Sequence, residues 1–379
     1  MKQLLSIPAL FGLLATSLFM SSCNQDDNND LDVPSTYSFT RNGSSTVDHS
    51  GQTERLDMLA LLSTYMKSSN TVGATALDAD LMKDMFANEN APFGGQTFAK
   101  DLKSKCFQSD VAMFEGFMDD LATASAASGT ASDGTAGVLV DGSSDPTSGY
   151  RVNANGVELT QIIEKGLMGA VFYYQAMEVY LSADRMGTTG NSDLSEGENY
   201  TDMEHYFDEA FGYFGVPTDF PSATSLDDAR FWGKYCNSRN NGLYDGLNKE
   251  IATAFRTARA AIVAKDYDAR DAAIQTIQQK WSLIAAASAI DYLRKGKASS
   301  GEPNYKRHHT LSEAIGFLMA LKYHFEGGNS KFPPHYTYMH IQQALTIINT
   351  QTNIYTLTDT QIDEAIGHLQ MAFPTGEIQ

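Results

Sequence analysis

The sequence has few cysteines, an excess of acid over base and no sustained alternation of polar and apolar residues. Three cysteines in 379 residues are too few for a small fold held together by disulfides. Lys and Arg total 27 against 46 Asp and Glu, which gives a net charge of −19. That charge argues against nucleic acid as a partner and against electrostatic binding to anionic lipid. The lack of strand alternation disfavours a β-sheet fold.

Signatures of covalent catalysis are also lacking. The sequence contains no Gly-x-Ser-x-Gly, His-Glu-x-x-His or Cys-His signature, and no glycine-rich phosphate loop follows a strand pattern. We therefore expect a binding or structural protein in preference to an enzyme. Cys106 and Cys236 could pair in an oxidising compartment or stay as two buried thiols, and both alternatives remain open.

Residues 1–22 have the layout of a secretory signal peptide. A basic start, Met1-Lys2, precedes a mostly apolar stretch from Leu4 to Met20 and two small residues before Cys23. A cysteine at the cleavage point is typical of a bacterial lipoprotein, so we predict lipidation of Cys23 and attachment to the membrane through it. A transmembrane anchor is disfavoured because the run contains Pro8 and is shorter than the ~20 residues that a spanning helix needs.

The segment 23–33 is acidic and polar, with the sequence Asn-Gln-Asp-Asp-Asn-Asn-Asp-Leu-Asp after the cysteine. It resembles the tether that marks Bacteroidetes-type lipoproteins for the outer face of the outer membrane. We expect a lipoprotein of the outer membrane at the cell surface, with the periplasmic face as the alternative. A solvated linker without any export signal would have the same composition.

From residue 34 to 379 the periodicity is helical nearly everywhere, and 42% hydrophobic content supports a real core. We predict an all-α fold of two related helical bundles, with halves at about 34–240 and 241–379. A stretch rich in Ala, Ser, Gly, Thr and Asp, 123–148, is predicted to be an exposed excursion, in which Val138 to Val140 could form a short strand. The predicted helices are Thr53–Lys67, Leu77–Phe86, Asp110–Ala124, Gly156–Leu181, Leu247–Lys265, Asp268–Arg294, His308–Tyr323, Tyr338–Asn349 and Asp359–Phe373.

One phrase supports an internal duplication. The segment from His205 to Phe214 and the segment from His309 to Leu318 both have the sequence His-x-x-x-Glu-Ala-(Phe/Ile)-Gly-aromatic-apolar. On a helix, residues four and seven apart lie on one stripe. The histidine, the glutamate and the glycine of each copy should therefore share a face. A shorter echo, Glu-Ala-Ile-Gly, ends at Gly367 without a histidine.

The four polar residues of the two copies are the candidate site: His205, Glu209, His309 and Glu313. Imidazole nitrogen and carboxylate oxygen suit a divalent metal such as Zn²⁺, or iron. If the copies met, they would supply two nitrogens and two carboxylates. A structural alternative explains the same phrase, because a His-Glu pair can simply form a hydrogen bond and the glycine can admit a crossing helix.

The chain resembles an uncharacterised Bacteroidetes lipoprotein family with a domain of unknown function, and more distantly the imelysin family. The resemblance rests on residues 208–217, on Asn155 to Glu158 continuing into Lys165-Gly166-Leu167, and on His309 to Gly316. The imelysin similarity implies two related helical bundles, a role in iron uptake and metal binding at a His-x-x-Glu motif. Here the shared glutamates stand four residues after the histidines instead of three.

Three functions follow as expectations. The first is a lipid-anchored binding protein of the cell envelope that captures a metal ion, haem or an iron complex and passes it to an outer-membrane transporter. The second is a structural accessory lipoprotein of an outer-membrane complex. The third is a zinc-dependent hydrolase in which Glu209 or Glu313 acts as general base.

Overall fold

The computed structural model describes residues 31–142, 145–300 and 304–379, with residue 304 described by its backbone alone. The predicted signal peptide, Cys23 and most of the acidic tether lie outside these residues. Asp32–Gln379 forms one compact unit. Among the described residues, no helix is long and apolar enough to cross a bilayer.

The fold is all-α, as predicted. Its helices are α1 Ser50–Lys67, α2 Ala79–Ala87, α3 Val111–Ser125, α4 Leu159–Leu167, α5 Asp202–Phe214, α6 Phe231–Arg239, α7 Leu247–Ala264, α8 Tyr267–Ala298, α9 Asn304–Ala320, α10 Tyr323–Glu326, α11 Tyr338–Ile347 and α12 Asp359–Ala372. Single 3₁₀ turns occur at Lys103–Lys105, Gln108–Asp110 and Gly242–Tyr244. The described residues also contain two short antiparallel strand pairs: β1 Thr40–Arg41 with β2 Ser44–Ser45, and β3 Gly137–Val140 with β4 Gly149–Val152.

Helix α8 is the centre of the packing. It lies against α7, α9, α6 and α12, and α4 of the predicted first half packs on α9 of the predicted second half. The core around α8 is aromatic, with the fully buried Trp281 6.1 Å from Trp232 and 4.8 Å from Phe214, between ring centroids. Aromatic pairs at these separations add to the stabilisation from apolar burial.

The long helix predicted over 156–181 differs in its second part. After α4 the backbone continues in π-helical turns, Met168–Tyr173 and Gln175–Tyr180. This segment packs closely on α9, because a Cβ added at Gly169 would lie 2.7 Å from the Cα of Ala320. Wider turns of this kind occur mostly as local insertions and often at functional sites.

The predicted excursion at 123–148 is also more ordered than expected in the part that the structure describes. The run Val138 to Val140 is β3, and Val138 and Leu139 are buried. The fully buried Arg151 of β4 donates a hydrogen bond of 3.0 Å to the carbonyl of Ser69. These contacts fix the hairpin against the helices, and β4 places Tyr150 next to α9.

Candidate functional site

The second copy of the repeated phrase lies on α9, against α4. A Cβ added at Gly316 would lie 2.5 Å from the Cβ of Lys165 and 3.2 Å from the carbonyl oxygen of Gln161. The glycine thus admits the crossing helix, as the structural alternative predicted. Because α4 comes this close, its polar residues meet His309 and Glu313 of α9.

His309 is held on three sides. Its Nδ1 lies 2.6 Å from Oε2 of Glu158, its ring stacks on Tyr150 at 4.2 Å between centroids, and its Nε2 lies 3.6 Å from Oε2 of Glu313. Burial lowers the pKa of His309, but the hydrogen bond and charge of Glu158, together with Glu313, reverse this and raise it above its usual value. A carboxylate on Nδ1 fixes the orientation of the ring and directs Nε2 toward the second carboxylate.

A chain of buried charges continues from Glu313. Its Oε1 accepts a hydrogen bond of 3.3 Å from Tyr235 and lies 3.5 Å from Nζ of Lys165. Lys165 also pairs with Glu164, which lies 2.8 Å from Nζ of Lys67. Burial opposes the charge on Lys165, yet Tyr235, Glu164 and Glu313 keep its pKa well above the usual value. Burial likewise opposes the charge on Glu164, but the two lysines hold its pKa far below the usual range.

These charges line a cavity of about 620 Å³ between α1, β4, α4, α6, α8 and α9. Its walls include His309, four cations and three carboxylates. The cations are Lys67, Lys165, Arg230 and Lys234, and the carboxylates are Glu158, Glu164 and Glu313. Glu158 is fully buried, and Glu164, Lys165 and Glu313 are each less than 9% exposed. Buried charges are costly to fold, and their concentration beside a cavity of ligand size is a mark of functional sites.

The first copy, on α5, repeats the local geometry. The ring of Tyr200 stacks on His205 at 4.9 Å, as Tyr150 does on His309. The hydroxyl of Tyr180 donates a hydrogen bond of 3.1 Å to Glu209, as Tyr235 does to Glu313. These parallels are those expected of a duplicated unit.

The surroundings of the first copy are different. Glu209 also accepts a hydrogen bond of 2.8 Å from Nε2 of Gln52, and Nε2 of His205 lies 3.9 Å from Oε2 of Glu209. Gly212 faces α1, since its added Cβ would be 2.6 Å from the Cβ of His49. Neither His205 nor Glu209 lines the cavity at His309. Within the described chain, no hydrogen bond, ion pair or ring contact joins the two copies.

Metal ligands are only partly assembled. Across 31–142, 145–300 and 304–379, no group of three or more His, Cys, Asp or Glu side chains is arranged to hold a metal ion. Around His309 the reason is geometric, because Glu158 and Glu313 bind opposite nitrogens of one ring and cannot converge on one ion. The pair of His309 Nε2 and Glu313 could supply two ligands, and His205 with Glu209 could supply two elsewhere. Cys106 and Cys236 are both buried free thiols.

Several site residues were not predicted as such from the sequence. Gln161 and Lys165 are four apart on α4, a helix whose residues are all buried, and Glu158 immediately precedes that helix, three residues before Gln161. That pattern of polar residues within an apolar helix was the available signal. Tyr150 and Tyr235 had no comparable signal, because they reach the site from a hairpin and from a helix that the periodicity did not reveal.

The fold and the cavity together define an all-α protein with a charged, ligand-sized cavity between its helices. The chain belongs to the family DUF4856, a domain of unknown function, which it matches over residues 34–366. No curated protein and no solved structure matches the chain. Glu158, Lys165 and His309 lie in the stretches that carried the family resemblance.

Proposed function

We propose that this protein binds a small polar ligand in the cavity at His309, as a receptor tethered to the cell envelope through Cys23. The observation that carries the proposal is the network of buried charges that ends at an open cavity. An ion network buried for stability alone could be replaced by apolar side chains at little or no cost. A network at the wall of a cavity has groups facing a space that a ligand can fill.

The proposal favours binding over turnover. The ring of His309 is held in one orientation, its pKa is raised, and Glu313 faces its Nε2. His309 could therefore transfer a proton to or from a bound molecule. The hydroxyl of Ser63, which also lines the cavity, donates to Glu164 and not to the imidazole. The same arrangement serves well as a rigid recognition surface, because every charged group on the cavity floor has a fixed partner.

A metal-linked ligand is the second candidate, and the His309–Glu158 hydrogen bond favours it. Ligating histidines in proteins usually donate the second ring N–H to a carboxylate or carbonyl. In this arrangement His309 Nε2 and Glu313 would supply two ligands, and the bound molecule would complete the coordination. An iron complex or a metal chelate could then enter as one unit. In this proposal the protein lies at the cell surface and releases the ligand to an outer-membrane transporter.

The test is a thermal-shift screen of the purified protein. The library would contain Fe, Zn, Mn and Cu ions, haem, iron chelates, sugars, sugar acids and hydroxylated carboxylates. A ligand of this cavity should raise the melting temperature by mass action, and the shift should vanish in His309→Ala. His205→Ala is the matched control, because it removes the equivalent histidine outside the cavity and should retain the shift.

Metal content would be measured in parallel by mass spectrometry after dialysis. Metal retained by the wild type and lost in His309→Ala alone would support the second candidate. Metal lost in part from each histidine variant would support two separate metal sites, one at His309 with Glu313 and one at His205 with Glu209. If no compound shifts the wild type, or if the shift survives in His309→Ala, the proposed binding site is wrong.

A further inference from the structure

We propose that the ligand of the His309 cavity is a small hydroxylated carboxylate, of the kind that a sugar acid represents. This inference rests on the proposed function and adds the chemical class of the ligand. Three observations carry it: an unpartnered acceptor on the cavity floor, a pair of cations on one wall and aromatic rings between them.

The acceptor is the side-chain oxygen of Gln161. Gln161 lines the cavity and is only 3% exposed, and its Nε2 donates a hydrogen bond of 3.2 Å to Glu158. Because a carboxylate only accepts, the amide nitrogen must face Glu158 and Oε1 must face away. Oε1 has no hydrogen-bond partner among the described residues. A buried acceptor without a donor is costly. Oε1 is itself closed to solvent, so a ligand hydroxyl would satisfy it once the Gln161 side chain turns toward the cavity that it lines.

The neighbouring floor groups suit hydroxyls as well. Glu158 and Glu313 accept hydrogen bonds, while Lys165 donates, and all three are fixed by partners within the protein. A hydroxyl both donates and accepts, so it can bind beside either kind of group. A purely apolar ligand would leave these buried groups without partners other than each other.

The cations are at the start of α6. Arg230 precedes the helix and Lys234 is in its first turn, with a backbone hydrogen bond of 3.4 Å between them, and both line the cavity. Arg230 pairs with Asp57 at 2.8 Å. Lys234 is exposed and has no ion pair within the described part of the chain. In a protein of net charge −19, a lysine kept without a carboxylate partner beside a cavity favours an anionic ligand group.

The aromatic rings of Tyr150, Phe231, Tyr235 and Tyr292 also line the cavity. Ligand sites commonly combine aromatic walls with a few polar groups that fix orientation. Flat rings offer apolar contact to the C–H faces of a sugar ring while the polar groups bind its edge. The carboxylate would lie toward Lys234 and Arg230, and the hydroxyls toward Gln161 and the floor.

The experiment compares two probes that differ in one group. D-Glucuronate and its neutral amide, D-glucuronamide, have nearly the same shape and the same ring hydroxyls. Binding to the full protein would be measured by isothermal titration at neutral pH and low salt. We expect glucuronate to bind tighter by about tenfold or more, because a hydrogen bond to a charged group is stronger than one between neutral groups.

Two variants separate the parts of the inference. Lys234→Gln is at an exposed position, so it should fold normally, and it should remove most of the preference for the acid. Gln161→Leu should weaken the binding of both probes equally, since it removes the group that accepts from a ligand hydroxyl and leaves the cations in place. Lys280→Gln, at a partly exposed lysine paired with Glu250 outside the cavity, is the control and should change neither affinity.

Equal binding of the two probes, tighter binding of the amide, or no binding of either at millimolar concentration would overturn the ligand class. So would an undiminished preference for the acid in Lys234→Gln. These results are distinct from failure of the proposed function, which would appear as no His309-dependent shift with any compound in the wider library.

Discussion

Three glycines in the same local sequence should respond differently to replacement by alanine. Gly212, Gly316 and Gly367 each end the phrase Glu-Ala-(Phe/Ile)-Gly on a helix. A Cβ at Gly212 or Gly316 would meet the Cβ of His49 at 2.6 Å or of Lys165 at 2.5 Å. A Cβ at Gly367 would meet nothing within 4 Å. The three substitutions therefore share their chemistry and differ in packing.

The magnitude follows from two opposing effects. Alanine gains about 0.5–1 kcal/mol over glycine in a helix interior, and this gain applies to all three positions. Forcing a methyl group into a packed contact costs about 1–3 kcal/mol. The obstructing atoms at Gly316 are a Cβ and a backbone oxygen, which cannot rotate away. We expect Gly367→Ala to stabilise the protein, and Gly316→Ala to be less stable than Gly367→Ala by about 1–3 kcal/mol.

Urea unfolding of the three variants is the assay, with the midpoint compared at constant slope. Gly316→Ala should also weaken binding in the cavity, because separating α4 from α9 moves Lys165 away from Glu313. Gly212→Ala should lose stability without that effect. The reasoning fails if Gly316→Ala is as stable as Gly367→Ala, or if Gly367→Ala is itself destabilising.

Other predictions concern the buried charges. Lys165→Met should cost about 3–5 kcal/mol, because it leaves buried carboxylates without their cation. Lys280→Met, at a partly exposed surface pair, should cost at most about 1 kcal/mol. Chemical denaturation measures both, and equal losses would contradict the assignment. Glu158→Gln should lower the pKa of His309, since only Glu313 would then oppose the effect of burial; an unchanged imidazole titration by NMR would refute this. His324 has a pKa lowered by burial to about 4. The contribution of neutral His324 to the free energy of unfolding is complete above pH ~6.5, the pKa of an unfolded histidine. It falls by about 3 kcal/mol as the pH drops to the pKa of His324 in the folded protein. His324→Gln should flatten this part of the curve of stability against pH, and an unaltered curve would exclude His324 as the cause.

The fold was predictable where helices are long and periodic. The bounds of α7 and α12 differ from the predicted bounds by one residue at most. Helix α6 was not predicted, because nine residues give little more than two turns, too few to show a helical periodicity. The π-helical turns after α4 were also not predicted, since their winding accompanies the close contact of Gly169 with Ala320, which no local pattern contains.

The candidate site was predictable in part. His309 and Glu313 lie on one face of α9, as helical spacing requires, and both line the cavity. Their partner Glu158 is 151 positions away from His309 along the chain, so only the packing of α4 on α9 reveals it. His205 and Glu209 form the same local pair but lie elsewhere. Whether either pair binds a metal stays a prediction, as do the lipid anchor at Cys23 and the outer-membrane location.

The difference between the two copies lies one residue before each glutamate. Asp208 of the first copy is fully buried and accepts hydrogen bonds from Arg259 at 2.9 Å and from Tyr37 at 2.7 Å. The equivalent Ser312 accepts the backbone N–H of Glu158 at 2.9 Å. The buried carboxylate of Asp208 requires a cation, and Arg259 supplies it beside the helix. The hydroxyl of Ser312 needs no charged partner and caps the start of α4. Because Ser312 holds only the backbone of Glu158, the side chain of Glu158 is directed to His309, and the second copy forms the wall of a cavity where the first forms a closed ion pair.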